Sequence, residues 1–135
     1  MVNRLGIAEN LSEYNDKNIL IYSFGINSDG FCEEYIFDDD DGNLLTSKDS
    51  SGHLSESTYD ASGNELTFKN SNGQWEKYSY DENSNLLTSK HSSGFWYEWT
   101  YDASGNQLSY KDSNGYWYEI TYDESGNRLT HKTSK

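Results

Sequence analysis

From Gly30 onward, short runs of alternating apolar and polar residues are separated by clusters of Asp, Asn, Ser and Gly. In the run Phe95-Trp96-Tyr97-Glu98-Trp99-Thr100-Tyr101, alternation places Phe95, Tyr97, Trp99 and Tyr101 on one face of an extended strand. Trp96, Glu98 and Thr100 fall on the other. The runs predict strands such as Phe95 to Tyr101 and Gln107 to Lys111. No segment of helical period lies between them, so tight turns must join them into an antiparallel meander.

The pattern is periodic. Gly52, Gly73, Gly94 and Gly115 recur every 21 residues, and the pairs Tyr59-Asp60, Tyr80-Asp81, Tyr101-Asp102 and Tyr122-Asp123 keep the same spacing. Leu45, Leu66, Leu87, Leu108 and Leu129 follow it, as do Lys48, Lys69, Lys90, Lys111 and Lys132. The expected fold is all-β: a tandem β-hairpin repeat array, either a twisted single-layer sheet or a solenoid. About five repeats of 21 to 22 residues occupy 30–135 as one domain, and 1–29 is read as an N-terminal cap containing a degenerate half repeat, Tyr14 to Gly30. The first clear unit carries one additional residue in its turn, where Phe37 is followed by Asp38, Asp39, Asp40, Asp41 and Gly42.

Two different turns are expected in each period. Asp102-Ala103-Ser104-Gly105-Asn106 suits a type I turn with a G1 bulge, and Ser84, standing where other units have Gly, should be strained or differently turned. Asp112-Ser113-Asn114-Gly115 ends instead in Asn-Gly, a strong signal for a tight hairpin. With a bulge at the first turn, Thr100 is expected opposite Leu108. That would put the leucines with Trp75, Trp96 and Trp117 on the better buried face and leave the tyrosine-rich face partly wet; a slip of one residue would reverse the assignment.

Composition sharpens this picture. Only 33% of residues are hydrophobic, yet 12 Tyr, 5 Phe and 4 Trp argue for order with aromatic faces in place of disorder. Ten basic and 23 acidic residues give a formal charge of -13, which disfavours direct binding to nucleic acid or anionic membranes and favours a protein with a basic surface as partner. Cys32 stands alone, so no intrachain disulfide can form. The opening MVNRLGIAENLSEYNDKN lacks the basic and apolar regions of an export signal, and no run is long enough to span a bilayer. A soluble cytoplasmic protein is the expectation. Open sheet edges invite pairing or dimerisation unless they are capped.

The motif Tyr-Asp-x-x-Gly-Asn-x-Leu, as in YDASGNQL and YDESGNRL, resembles the YD repeat of Rhs and teneurin-like proteins. That resemblance covers about 105 residues and implies hairpin units continuing into a long spiralling sheet. Asn64, Asn106 and Asn127 stand where the family often has Arg. Rhs proteins use many such repeats to build a shell around a toxin segment. The strings GFWYEW and GYWYEI are also similar, more weakly, to choline-type cell-wall-binding repeats.

Candidate chemistry is sparse. His53, His91 and His131 fall at different repeat positions, and the serines lie in turn clusters such as Ser50, Ser51, Ser92 and Ser93, where local backbone bonding is their ordinary role. Glu98 and Glu119 recur in register as ladder residues. No catalytic group, cofactor or metal site is expected; the contiguous run Asp38 to Asp41 lacks the alternating acids of a calcium loop.

The remaining leads are for binding. They are the acidic Glu33, Glu34, Asp38, Asp39, Asp40 and Asp41 and the aromatic Phe95, Tyr97, Trp99, Tyr116 and Tyr118, whose earlier counterparts include His53, Ser55, Gln74 and Glu76. The expected function is a non-catalytic acidic protein-binding module. Its sharpest form is a phage or mobile-element inhibitor that mimics phosphate charge on a nucleic-acid-handling defence protein or a toxin. Carbohydrate or cell-wall binding and a structural Rhs-like fragment are the alternatives.

Overall fold

The computed structural model describes residues 10–134, so the first nine residues of the expected cap lie outside the described residues. Those described form twelve strands and no helix. By compactness the chain divides into two units, Met1–Gly73 and Gln74–Lys135. The first holds β1 (Asn10–Tyr14), β2 (Leu20–Ile26), β3 (Cys32–Phe37), β4 (Leu44–Asp49), β5 (Leu54–Tyr59) and β6 (Glu65–Asn70). The second holds β7 (Trp75–Tyr80), β8 (Leu86–His91), β9 (Trp96–Tyr101), β10 (Gln107–Asp112), β11 (Trp117–Tyr122) and β12 (Arg128–Thr133). Within each unit every strand pairs antiparallel with its neighbours in sequence, the all-β hairpin array expected from the period.

The Tyr-Asp turn has the expected geometry. Asp102 N–H donates to Asn106 O (2.9 Å), Gly105 N–H donates to Asp102 O (3.0 Å), and Gly105 has φ 82°. This is a type I turn followed by a G1 bulge. Ser84 keeps that turn without glycine: it adopts φ 64° and donates its N–H to Asp81 O at 3.1 Å. It is strained, not differently turned. The additional residue of the first repeat is accommodated in the turn, where Asp38 N–H reaches Asn43 O at 2.8 Å.

Two expectations need correction. The second turn is not a different one: Asp112 N–H donates to Tyr116 O (3.0 Å), Gly115 N–H to Asp112 O (3.1 Å), and Gly115 has φ 84°. A two-residue Asn-Gly turn needs positive φ at both central residues. Asn114 is not among the non-glycine residues with positive φ, which are Asn18 and Ser84. The Asp at the turn's start, accepting from Asn114 N–H at 2.8 Å and Tyr116 N–H at 3.1 Å, selects the longer form.

The register also differs from the expected one. Thr100 faces Ser109, not Leu108, because the bulge between Gln107 and Ser109 leaves Leu108 as the unpaired residue. The faces therefore exchange roles. Tyr97, Trp99 and Tyr101 are half-buried, as are Tyr118, Ile120 and Tyr122, whereas Glu98, Thr100, Trp117, Glu119 and Thr121 are exposed. The tyrosine-rich face is the better covered one. Along the other run hydroxyl pairs, Thr58 with Thr67, Ser79 with Thr88, Thr100 with Ser109 and Thr121 with Thr130, at 2.6 to 2.7 Å. Lysines lie over tryptophans there too, Lys77 over Trp75 and Lys111 over Trp96, each 5.6 Å from the ring centre.

No described hydrophobic side chain is fully buried, as expected where side chains cover one another across a single sheet layer. Serines at the 21-residue spacing fasten the open end of each repeat's hairpin. Cys32 N–H donates to Ser50 Oγ (3.0 Å) and Ser50 N–H to Cys32 O (2.9 Å); Ser71 does the same to Leu54, and Ser134 to Trp117. These bonds span 17 or 18 residues, so Ser50 is a clamp across the sheet as well as a turn residue.

Candidate functional site

The acidic and aromatic candidates sort into different units, the acids in the first and the rings in the second. Fourteen acidic and four basic residues give the first unit a formal charge of -10, against nine and six, or -3, for the second.

On the tyrosine face of the second unit the rings form a continuous row. Tyr97 stacks near Trp99 (5.9 Å between ring centres) and Tyr110 (6.2 Å), and Tyr110 stacks on Tyr118 (5.4 Å) and meets Tyr116 (6.0 Å). His91 packs edge-on against Tyr97, and His131 is tilted against Tyr118, both at 5.6 Å. Four of the five aromatic candidates are thus brought together, while Phe95 stands at the turn 46% exposed. Tyr110, at the centre, was missed. Its signal in the sequence was weak: the positions 21 residues apart are Ser47, Phe68, Ser89, Tyr110 and His131, which show no steady rise in aromatic content.

The interplanar angles of 20° to 28° among the stacked pairs mean that these rings use their faces on each other. Polar ends join the row: Gln107 Nε2 donates to Tyr118 Oη (2.6 Å), and Tyr110 Oη donates to Asp112 Oδ2 (3.2 Å). Burial first, and then the Asp112 carboxylate, push the Tyr110 phenol up to about 12. The Tyr of the Tyr-Asp pair reaches back one hairpin, with Tyr59 Oη donating to Leu44 O (3.0 Å) and Tyr122 Oη to Gln107 O (3.2 Å).

In the first unit, Glu33 and Glu34 are consecutive on β3 and so lie on opposite faces; Glu33 faces Asp49 across β4 and Glu34 faces Lys48. The Asp38 to Asp41 turn engages most of its own acids. Asp38 Oδ1 accepts Asp40 N–H (2.8 Å), Asp41 Oδ1 accepts Asn43 N–H (2.9 Å), and Asp40 pairs with Lys17 (2.6 Å). The Lys17 contact, by hydrogen bond and then by charge, holds the Asp40 carboxyl below its ordinary value and raises Lys17. Asn15 donates to the Asp39 carbonyl.

Although contiguous in sequence, Asp38, Asp39 and Asp40 place carboxylate oxygens within 4.8 Å of one another. They are exposed or half-buried groups on one turn, and two of the three already serve the turn or Lys17.

No protein-family model matches this chain, and no curated protein does. Among solved structures, the chain is similar to a segment of TcdB2-TccC3-Cdc42, with TM-score 0.61 and 20% identity over 90% of this chain and 7% of that one. It is also similar to a segment of the Photorhabdus luminescens Tc holotoxin pore, with TM-score 0.54 and 14% identity over 93% of this chain and 9% of that one. At these identities the likeness shows the fold, and it agrees with the hairpin array implied by the Rhs-type resemblance.

Proposed function

We propose that this chain is a non-catalytic repeat module that uses its acidic first unit to hold a protein with a basic surface. The observation that carries this reading is the division of labour between the units. The charge of -10 is gathered on the unit whose tyrosine face is interrupted by Ser47, Ser55 and Ser57, while the unit of charge -3 spends its rings on internal stacking. Such a field steers a basic partner into contact and repels nucleic acid. A nucleic-acid-handling protein is the partner whose surface it complements best, and an inhibitor or antitoxin role follows from occupying that surface.

Affinity capture from lysate at low ionic strength, followed by identification of the bound protein and measurement of affinity against salt, tests this reading. Affinity should fall steeply between about 50 and 500 mM salt, because charge pairs across an exposed interface are screened. It should also fall when Asp38, Asp39 and Asp41 are changed to Asn. Capture of nothing salt-sensitive would overturn it.

A second reading rests on the fold likeness to segments of toxin complexes: the repeats act as a structural wall element. It predicts that the neutralised variant assembles with its partner as the parent does, irrespective of salt.

A further inference from the structure

On the tyrosine face of the first unit, between β3, β4, β5 and β6, lies a cavity of about 220 Å³ bordered by Glu33, Tyr35, Ser47, Asp49, Ser55 and Phe68. Its origin is legible from the repeat. Ser47 faces Ser55 across β4 and β5, and their hydroxyls bond at 2.8 Å. The corresponding pairs in the second unit are Ser89 facing Tyr97, where one ring remains, and Tyr110 facing Tyr118, whose two rings stack. Replacing two phenol rings by two hydroxymethyl groups leaves the space open.

Its upper wall is electrostatically unusual. Glu33 and Asp49 are direct cross-strand partners, so both side chains project into the same face. Like charges so placed repel each other. The corresponding pairs in the other repeats are Ser55 with Asn70, Glu76 with His91, Tyr97 with Asp112 and Tyr118 with Thr133. Among the described residues this is the position of that series where two acids meet.

Asp49 Oδ1 is taken up by Ser51 N–H (2.8 Å), Ser51 Oγ (2.6 Å) and His53 N–H (3.1 Å), whereas among the described residues Oδ2 meets the exposed ring of His53, at 3.3 Å. Lys48 also borders the cavity, but strand alternation turns its side chain to the other face, where it is opposite Glu34.

We propose that this cavity receives a primary alkylammonium group, supplied by a lysine side chain of the basic partner, in keeping with the reading above on which this inference rests. The ammonium group lies between Glu33 and Asp49 Oδ2 and donates its remaining proton to one of the two serine hydroxyls; the methylene stem lies along Tyr35 and Phe68. A cation there converts a repulsive pair into two attractive contacts. The ring-lined walls hold an alkyl stem where a hydrated metal ion would find no apolar complement.

Cadaverine is the soluble probe, with 1-pentanol as its uncharged counterpart. In a ¹H–¹⁵N NMR titration of the full chain, cadaverine should shift the amides of Tyr35, Ser47, Ser55 and Phe68 saturably, and pentanol should not. Glu33→Gln with Asp49→Asn should weaken binding at least tenfold. Both changes have precedent in the chain, since Asn70 occupies the Asp49 turn position and uncharged Ser55, Tyr97 and Tyr118 occupy that of Glu33.

Ser47→Tyr with Ser55→Tyr rebuilds the ring pair of the second unit and keeps both acids, so it separates the cavity from the general acidic field. It should abolish the shifts. Equal binding by parent and filled variant, or shifts confined to Asp38 to Asp41, overturns the proposal. If cadaverine binds as described but no salt-sensitive protein partner exists, the cavity stands and the reading of function falls. If a partner binds with salt sensitivity and the filled variant binds it equally, the reverse holds.

Discussion

Asn106 Nδ2 donates to Asp102 Oδ2 at 2.9 Å, while Asp102 Oδ1 accepts the backbone N–H groups of Ser104 and Asn106, each at 2.9 Å. One carboxylate therefore closes the turn from three sides. The same pair recurs as Asn64 with Asp60, Asn85 with Asp81 and Asn127 with Asp123, at 3.0 to 3.1 Å. The Asp and Asn of the repeated motif are thus one hydrogen-bonded unit, and glycine or serine between them supplies the left-handed residue. Asn106→Ala removes one donor from a half-buried turn and should cost about 1 kcal/mol. In a chain of this length that is a fall of about 4 °C in Tm by calorimetry.

Acid should act through the same turns. The amide of the following Asn, then backbone N–H groups, hold the carboxyls of Asp60, Asp81 and Asp102 below their ordinary value; for Asp123 the backbone N–H of Asn127 is the larger cause. A carboxyl whose folded value is depressed contributes stability that is present above its unfolded value, about 3.9, and lost as pH falls through the folded value. Lower pH also relieves the repulsion of a chain of charge -13, which acts in the opposite direction. In about 0.5 M salt that repulsion is screened. The urea midpoint should then hold steady from pH 7 to about 5 and fall below about 4. A midpoint that keeps rising toward pH 3 would show that the turn carboxylates are not depressed.

Ser84 and Gly105 occupy equivalent turn positions with φ of 64° and 82°. A Cβ at Gly105 would meet nothing within 4 Å, so backbone conformation alone decides the effect of a side chain there. Gly105→Ser should destabilise by about 1 kcal/mol. Ser84→Gly should stabilise by a smaller amount, about 0.5 kcal/mol, because glycine loses more freedom on folding. Paired denaturation curves check both signs.

Repetition made the strands, the antiparallel order and the first turn legible, because an error in one copy is corrected by the others. Leu108 shows where that protection ends. Every repeat carries the same bulge, so an error of one residue in its register propagates to all of them and exchanges the two faces. Asn114-Gly115 misled for a local reason: the Asp two residues earlier bonds the turn backbone and favours a longer turn than the dipeptide alone indicates. The clamp of Ser50 on Cys32 and the facing of Glu33 with Asp49 are relations across strands. They appear only once the register is fixed, which is why the acids could be picked out singly while the cavity could not.

Tyr110 offers a spectroscopic test of the ring row. Its phenol lies among Tyr97, Trp99, Tyr116 and Tyr118 and donates to Asp112, so both the stacking and the carboxylate oppose its ionisation. Its folded value of about 12 stands above the unfolded value of about 10. A raised value means that the folded chain retains the proton between these limits while the unfolded chain has lost it. The contribution to stability is complete below pH 10 or so and is lost as pH rises toward 12. Burial also raises the phenols of Tyr22, Tyr35 and Tyr101, so absorbance near 295 nm should show a late phase to which Tyr110 contributes, and Tyr110→Phe should remove one phenol from it. The variant also leaves the Asp112 carboxylate without its phenol donor and should lower Tm, yet its midpoint should fall less between pH 10 and 11.5 than the parent's. Equal alkaline slopes in the two chains would show that the Tyr110 phenol is not raised.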